Sequence, residues 1–469
     1  MCFLIKKSMK IITIIWAWAA GLMAAATILE NSEWADYHIQ IFEKNTSPGK
    51  KVIISGGGRC NVTTWIEDKK ILLSKYTRGA EFIKKAFGKF SPRKCREWFE
   101  SHGVPMKCEP DNRVFPVSDD GTEVVEAFEK IFAKYRDKVT LHYGEWVSEV
   151  SLIPTVSVIV NEEQWSAVIQ VSEKTEHGLL RASQWQEQQE WQKTGLLRTS
   201  QWREQKYQIT TPKWIYETDI VVVTTGGNAY SNTGSTGDGY AFARTLGHTV
   251  TQLWPSLSSF LTREQWTHEL SGLVLTGAKI GEVVGSLLLT HFGLSGPLAF
   301  MYSSQVAWDA IDKQSPKTIH LSPLADMWLP EWGSFLKEQF ANHPKKLISS
   351  ILAEKLPRRF VDEFIWEYFS SIREVFAASI SKKDREYISE LLWRWIPITL
   401  TDRRPGDEFV TAGGVDTDEI DPETMESKIS KNLYFAGEVL NVDGYTGGFS
   451  LQICWASGYV AGRDISSKF

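Results

Sequence analysis

The sequence predicts an α/β fold in which a parallel sheet of βαβ units is interrupted by an inserted domain of mixed strand and helix. Three observations predict it. An apolar strand over Ile11–Ile15 leads through a tight turn into an Ala-rich helix over Ala19–Glu30, and His38–Phe42 alternates as the next strand. Asp219–Thr225 has an uninterrupted apolar centre at Ile220–Val223, as expected of a strand buried on both faces of a parallel sheet. Residues 251–401 break this rhythm with mixed strand and helix character.

These patterns divide the chain into a first part of the main domain, an insert and a C-terminal return. We expect the main domain over 9–250 and 402–469, with the inserted substrate-side domain over 251–401. Residues 50–64 read as a strand that runs into a glycine cluster, residues 81–102 as a helix, and Leu433–Phe435 as a strand. Residues 139–220 read as short strands of a β-meander laid on the main sheet. Within them, a polar insertion over 178–206 repeats one unit twice, and a single duplication is too short for a solenoid.

Composition narrows the classes of function. Apolar residues make up 42% and charged residues 23%, which is ordinary globular usage. A net charge of -5 gives no sign of a nucleic-acid partner, and the apolar run near the N-terminus is too short and interrupted for a membrane span. The five cysteines are scattered, which fits the reducing cytoplasm, and no residue spacing suggests a metal site. The oligomeric state is not predicted.

The N-terminal apolar stretch has a second reading. Lys6 and Lys7 followed by residues 11–26 resemble the arrangement of a signal peptide. We favour strand, turn and helix, because the chain that follows supplies an acidic residue, Glu43, at the end of the second strand.

That acidic residue completes part of a dinucleotide-binding pattern. Such a site needs glycines after the first strand, so that a pyrophosphate can approach the helix N-terminus, and an acid to hold the ribose hydroxyls. Here the turn reads Trp16-Ala17-Trp18-Ala19-Ala20-Gly21, with tryptophan at the first two glycine positions. The fingerprint is broken, while the strand, the helix and Glu43 around it are in place.

Further segments carry a resemblance to a known family. The run Pro48–Thr63 (PGKKVIISGGGRCNVT) and the C-terminal run Leu433–Gln452 are long and specific. Shorter matches lie between them, at Arg113–Asp119, Val221–Gly227, Thr233–Gly239, Thr290–Pro297 and Val410–Asp416. Together they resemble the HI0933-like flavoproteins, bacterial FAD-dependent oxidoreductases also called the aminoacetone oxidase or BaiN-like family. The resemblance runs from Met9 to Gly462 and departs at Trp16, Trp18 and the 178–206 repeat.

The resemblance implies a Rossmann-like FAD-binding domain of the two-dinucleotide-binding type. Side-chain-free amides at Gly56–Gly58 and the Arg59 cation suit the FAD pyrophosphate or the flavin edge, the alternative being a glycine bend with a surface arginine. Glu438 is placed near the ribityl chain. The helix after Gly447 and Gly448 would face the flavin pyrimidine, or is an ordinary helix start. The expected FAD-binding residues are Trp16, Ala17, Trp18, Ala19, Ala20, Glu43, Lys44, Gly49, Lys50, Gly58, Arg59, Cys60, Asn61, Thr225, Gly226, Gly437, Glu438, Gly447, Gly448, Phe449 and Gln452.

Two residues, Cys60 of this set and His291 outside it, are candidates for a chemical role. Cys60 reads as a redox thiol at the flavin or, our preference, as a small packed residue, because it has no neighbouring cysteine. His291 reads as a candidate catalytic residue that moves protons in the substrate cavity, or equally as a core histidine bonded to a carbonyl.

The predicted function is an FAD-dependent oxidoreductase, with NAD(P)H as its expected reductant and hydride transfer through flavin N5 to an unidentified small organic substrate. The NAD(P)H assignment follows from the resemblance alone. Three alternatives remain open: a flavin-binding sensor or scaffold without turnover, a site inactivated by Trp16 and Trp18, and an exported or membrane-anchored Trp-rich protein.

The tryptophans themselves suggest a hypothesis. The chain has 20 Trp against 14 Tyr, and several stand where a turn favours glycine. Some bacterial lineages read the codon UGA as glycine, whereas another translation table gives tryptophan. We hypothesise that such a translation placed tryptophan at positions normally glycine, the alternative being a divergent site that has lost FAD. The suspected positions are Trp16, Trp18, Trp34, Trp165 and Trp214, whereas Trp266 and Trp455 read as natural.

Overall fold

The computed structural model of the protein describes residues 9–32, 35–153, 157–160, 167–170, 205–445 and 447–469. The strands are β1 (Lys10–Ile15), β2 (Tyr37–Glu43), β3 (Thr63–Thr64), β4 (Tyr76–Arg78), β5 (Met106–Cys108), β6 (Arg113–Pro116), β7 (Val139–Tyr143), β8 (Glu149–Leu152), β9 (Ser157–Val160), β10 (Ala167–Gln170), β11 (Tyr207–Thr210), β12 (Ile215–Thr218), β13 (Ile220–Val223), β14 (Trp254–Ser256), β15 (Phe260–Thr262), β16 (Val274–Ile280), β17 (Val283–Thr290), β18 (Gly293–Ser295), β19 (Lys317–Ser322), β20 (Ile396–Arg403), β21 (Val410–Ala412), β22 (Leu433–Phe435) and β23 (Asp443–Gly444). The helices are α1 (Ala19–Asn31), α2 (Lys50–Ile54), α3 (Lys69–Leu73), α4 (Ala80–Lys89), α5 (Pro92–Ser101), α6 (Thr122–Lys134), α7 (Asp238–Thr245), α8 (Gln265–Glu269), α9 (Gly296–Gln305), α10 (Leu329–Asn342), α11 (Ile348–Leu352), α12 (Arg358–Phe369), α13 (Lys382–Glu390) and α14 (Gly447–Ser467).

The main sheet is parallel and has the order β22-β13-β1-β2-β7, with β1 at its centre. Ile14 of β1 lies beside Ile41 on one side and Val222 on the other, and all three are fully buried. The predicted α/β fold with a Rossmann-like domain is therefore confirmed. Residues 11–26 form β1 and most of α1, at the core of that domain, as the strand, turn and helix interpretation expects.

Helix α14 returns the end of the chain to α1. A Cβ placed on Gly458 would lie 2.3 Å from the carbonyl oxygen of Ala20, and one on Gly462 would lie 2.7 Å from that of Ala24. Small residues on both helices therefore let the two backbones touch. This contact holds the C-terminal segment against the first βαβ unit, beside the carboxyl end of β1.

A second unit lies in sequence between β13 and β22 of the main sheet. Strands β15-β18-β17-β16-β19-β20 close into an antiparallel barrel, and its apolar side chains join those of α8–α13 in a core of their own, from Phe260 to Leu400. The main core draws instead on residues 12–246 and 415–465. The division at 250 and 401 stays a prediction, and these two separate cores support it.

Three local predictions are corrected by the structure. Residues 50–54 form the short helix α2 rather than a strand, because Val52 turns inward while the rest of that segment stays near the surface. The helix expected over 81–102 is broken into α4 and α5, with Pro92 as the first residue of the second helix. Strand β7 belongs to the parallel sheet, so that the meander begins only at β8, which pairs with β11, and β11 pairs in turn with β12.

Candidate cofactor site

The carboxyl ends of β1, β2 and β13 meet at one edge of the parallel sheet, where open α/β sheets bind their ligands. Trp16 follows β1, Glu43 ends β2, and Thr225 and Gly226 follow β13. Gly21 in the first turn of α1 allows a close contact here. A Cβ placed on it would lie 2.2 Å from the carbonyl oxygen of Trp16, so the third glycine of the fingerprint is sterically required.

Trp16 lies at this edge in a backbone conformation that is unfavourable for residues with a side chain. Its φ is +84°, a region that is an outlier for a bulky residue, and its N–H donates to the Phe42 carbonyl at 2.8 Å. The indole is buried and lies against Gly234, where an added Cβ would be 3.3 Å from Cζ3. Lys44 lies over the ring at 5.3 Å and donates to the Thr236 hydroxyl.

Trp18 fills the space in front of α1. It is the residue that precedes the helix, with an ordinary extended backbone (φ −99°). Its buried indole lies against Gly226, where an added Cβ would be 2.6 Å from Cζ3, and meets the Trp16 ring edge to face at 5.1 Å. Its Nε1 finds no hydrogen-bond partner among the described residues.

These two indoles do not leave room for FAD. A dinucleotide pyrophosphate needs the helix N-terminus, reached across side-chain-free turn residues. The approach to Ala19 and Ala20, the first residues of α1, is instead closed by packed indoles. The residues present at 16 and 18 therefore do not fit the cofactor that the surrounding fold is built to hold.

Glu43 stands where the ribose-binding acid is expected. One carboxylate oxygen accepts from the backbone and side-chain N–H groups of Asn45, each at 2.8 Å, and the other accepts from the Ala17 N–H at 3.0 Å. Burial raises the pKa of the Glu43 carboxyl, and these hydrogen bonds partly oppose it. Asn45 was not foreseen as part of the site, although it lies two residues beyond the predicted acid.

The segment after β2 is tied to the same turn. Gly49 has a φ of +66° and donates its N–H to the Ala17 carbonyl at 2.9 Å. Lys50 is exposed at the start of α2. Lys51, which the sequence did not single out, pairs with Glu438 at 2.8 Å and lies 5.8 Å from the Trp18 ring. The ion pair brings the second and last segments of the predicted site together.

The glycine cluster forms a tight turn beside the end of the chain. Gly56, Gly57 and Gly58 all have positive φ. Arg59 forms ion pairs with Glu109 at 2.6 Å and Asp119 at 3.4 Å, and its guanidinium lies over the Phe115 ring at 4.0 Å. Its predicted role at the cofactor stays a prediction, since these partners already hold its charge.

Cys60 and Asn61 close this turn. The Cys60 thiol is fully buried, and burial raises its pKa to about 12, so that it stays protonated at neutral pH. That is the environment of a packed residue rather than a reactive thiolate. The Asn61 side chain accepts from the Gly448 N–H at 3.2 Å and donates to the Thr63 carbonyl at 3.1 Å, which places the turn against the start of α14.

The C-terminal residues of the predicted set fall into the same region. Gly437 has a φ of +80° and donates to the Ser457 hydroxyl at 2.9 Å. The backbone carbonyl of Phe449 accepts from the Tyr76 hydroxyl. Gln452 is fully buried and accepts from the Thr63 hydroxyl at 2.6 Å, so its side chain serves to hold α14 against β3. Helix α14 begins at Gly447 itself.

His291, the candidate catalytic residue, belongs to the barrel unit. It is exposed in the turn between β17 and β18 of the barrel, with its ring against Phe292 at 5.1 Å. The expectation of a core histidine bonded to a carbonyl does not match this exposure. Its catalytic role stays a prediction.

A buried ion pair that the sequence did not reveal joins the two units. Arg78 makes a bidentate contact with Asp443, with Nε at 2.5 Å from Oδ1, and donates to the Ser304 carbonyl of α9 at 3.0 Å. The Thr77 and Ser304 hydroxyls also lie 2.7 Å apart. No motif marks these residues, because 365 positions separate the two charges. The pair fixes how the barrel unit meets the edge of the site.

Two surface cavities lie elsewhere. One, of about 280 Å³, is lined by α6 and β7, and the other, of about 350 Å³, by β16 and residues 353–357 of the barrel unit. None of the helices in the described part of the chain is both long and apolar enough to cross a lipid bilayer.

Comparison with known proteins matches almost the whole chain. A family described as "HI0933-like protein Rossmann domain" matches residues 10–173 and 172–464. A 3-dehydro-bile acid delta(4,6)-reductase of Clostridium scindens is 27% identical over 98% of this chain and 100% of its own length. Ribosomal RNA dihydrouridine synthases are 28% identical in Haemophilus influenzae, over 97% of this chain and 98% of that protein, and 25% identical in Escherichia coli, over 96% and 97%. The last two names run against the expectation that no nucleic acid is involved.

Proposed function

We propose that this chain, which belongs to the HI0933-like protein Rossmann domain family, is an FAD-dependent oxidoreductase when positions 16 and 18 carry glycine. One observation carries the proposal. The frame of the cofactor site is complete apart from two side chains: Gly21 packs the helix on the strand, Glu43 ends β2, and Gly49 bonds to the turn. In the form with two tryptophans the same crevice is closed.

The finer part of the proposal concerns the reaction. The names of the relatives describe the reduction of carbon–carbon double bonds, in a bile acid and in uridine. We extend that class to this chain: NAD(P)H and a proton supply two hydrogens to a double bond of a small organic substrate. The redox chemistry belongs to the flavin, while the protein binds, orients and excludes water.

The first test compares two purified proteins, the chain as translated and the variant Trp16→Gly/Trp18→Gly. We expect oxidised-flavin absorbance in stoichiometric amount from the variant and none from the chain with both indoles. Anaerobic addition of NADH or NADPH should then bleach the bound flavin. Flavin that binds but is never reduced would favour the sensor or scaffold alternative, and a colourless variant would refute FAD binding.

A second test addresses Glu43. In the Trp16→Gly/Trp18→Gly background, Glu43→Ala should weaken FAD binding by about 1.5–3 kcal/mol, the worth of a hydrogen bond to a charged group. Glu30→Ala, at the other end of α1, is the matched control and should leave the affinity unchanged. An unchanged affinity in Glu43→Ala would remove that carboxylate from the site.

Substrate class is tested with two probes, a 3-oxo steroid that carries 4,6 double bonds and an unmodified ribosomal RNA fragment. Reoxidation of the reduced flavin by the steroid alone supports the proposal of a small substrate. Reoxidation by the RNA alone refutes it and restores a nucleic-acid partner, in agreement with the names of two relatives.

A further inference from the structure

Trp16 and Trp18 do not fit the dinucleotide-binding pattern that the surrounding strand, helix and acidic residue otherwise follow. We propose that positions 16 and 18 are glycine in the protein that the cell makes, because their codons are UGA read there as glycine. The proposal rests on the proposed function only in taking FAD as the ligand of this crevice. The backbone and packing evidence below is independent of any ligand.

The backbone at position 16 is that of a glycine. Among the described residues, the other non-glycine residues of positive φ lie between 55° and 65°, within the left-handed region that side chains tolerate. Trp16 lies at 84°, outside that range, whereas glycines of this protein reach 98° at Gly234 and 90° at Gly413. No other described tryptophan has a positive φ. A Cβ is disfavoured in this conformation, and glycine is not.

Position 18 is distinguished by packing rather than by φ. Its indole is 5% exposed, its Nε1 has no hydrogen-bond partner among the described residues, and the ring presses on Gly226. An unbonded N–H does not by itself distinguish this residue, because Trp266 and Trp332 are also buried with no Nε1 partner among the described residues. Trp18 differs from them in its position directly before α1, against a glycine that follows β13. Without the indole, the first amides of α1 would be open to an anion, as the fold requires.

Trp455 shows what a tryptophan selected for this core looks like. It is fully buried in α14, its Nε1 donates to the Val62 carbonyl at 2.9 Å, and its ring lies 5.2 Å from Phe99 and 5.8 Å from Phe128. Trp455 therefore differs from Trp16 in backbone conformation and from Trp18 in having a bonded N–H. We infer that position 455 is encoded by UGG.

The structure also narrows the original set of suspected positions. Trp214 lies in the turn between β11 and β12 and is 68% exposed, but it does not have a positive φ, so its backbone does not require glycine. Trp34 and Trp165 lie outside the described residues. Trp266, expected to be natural, is buried against Phe360 in the barrel unit without a positive φ, and its Nε1 has no hydrogen-bond partner among the described residues. Its assignment as natural stays a prediction.

Peptide mass spectrometry of the native protein, purified from its source organism, tests the proposal. Trypsin cleaves after Lys10 and Lys44 and at no residue between them, so one peptide, 11–44, carries both positions. We expect fragment ions with glycine mass at 16 and 18, and tryptophan mass at 455 in the peptide that ends at Arg463. Tryptophan at 16 or at 18 in the native peptide, or a UGG codon at either position in the gene, overturns the proposal.

The outcome is separable from that of the proposed function. If the native peptide carries glycine at both positions but the recombinant Trp16→Gly/Trp18→Gly protein holds no flavin, recoding stands and FAD binding fails. If the native peptide carries tryptophan, recoding fails whatever the recombinant variant binds. A glycine residue in place of tryptophan 455 would also overturn the structural criterion, because that indole is bonded and stacked.

Discussion

Replacing Trp18 with phenylalanine, in the chain that carries both indoles, removes a buried N–H group that has no hydrogen-bond partner among the described residues. Such a group costs about 1–3 kcal/mol of stability, which the substitution recovers. The substitution also removes buried ring atoms and leaves a small cavity, which lowers stability. The change in the free energy of unfolding of Trp18→Phe therefore combines a gain from the removed N–H and a loss from the cavity, and a matched control is needed to separate them.

Trp455→Phe is that control, because it removes the same atoms from an equally buried site. There the lost Nε1 group bonds to the Val62 carbonyl, and that carbonyl is left without its partner at a cost of about 1–3 kcal/mol. With the cavity terms cancelling, Trp18→Phe should leave the protein more stable than Trp455→Phe by about 2–6 kcal/mol. Urea unfolding, followed through its midpoint and slope, measures the difference. Equal losses in the two variants would refute the reasoning, since they would mean that the Trp18 N–H is satisfied in solution.

Three further outcomes are expected. Asp443→Ala strips the buried Arg78 of its carboxylate and should cost about 3–5 kcal/mol in urea unfolding, but much less in an Arg78→Met background; equal costs would show that the charges are not coupled. Burial lowers the pKa of His248, and the hydrogen bond that the His102 imidazole donates to the Glu30 carboxylate raises the pKa of His102, so an NMR titration should place them below and above 6.5. The stability that neutral His248 contributes is then lost as the pH falls below 6.5. The stability that protonated His102 contributes is present below pH 6.5 and is lost as the pH rises through the higher pKa of the folded state. The reverse order of titration would contradict both assignments. Deleting residues 178–206 should leave the flavin content of the Trp16→Gly/Trp18→Gly protein unchanged, because loop closure depends only weakly on length, and loss of flavin would show that the repeat contacts the cofactor domain.

Much of the main domain is predictable from local sequence pattern. Strand β1, helix α1 and strand β2 follow from the alternation and apolar runs of consecutive residues, and Leu433–Phe435 forms a strand as expected. The position of Glu43 at the end of β2 follows from the same pattern. These features depend on neighbours in the chain, and a single sequence contains that information.

Other features depend on tertiary packing and could not be predicted from the local sequence pattern. Residues 50–54 look apolar enough for a strand, yet form α2 with Val52 buried, since tertiary context can override a weak local strand preference. The pairing of Arg78 with Asp443 across 365 positions leaves no trace in either segment.

The tryptophans show the division most clearly. The sequence by itself determined that positions 16 and 18 stand where a dinucleotide fold has glycine. Only the tertiary structure showed the φ of +84° at Trp16, the unpaired N–H of Trp18, and the bonded N–H of Trp455. The physical reason is that a side chain's fit depends on backbone angles and on partners that come from distant parts of the chain, here from segments as far apart as Val62 and Trp455.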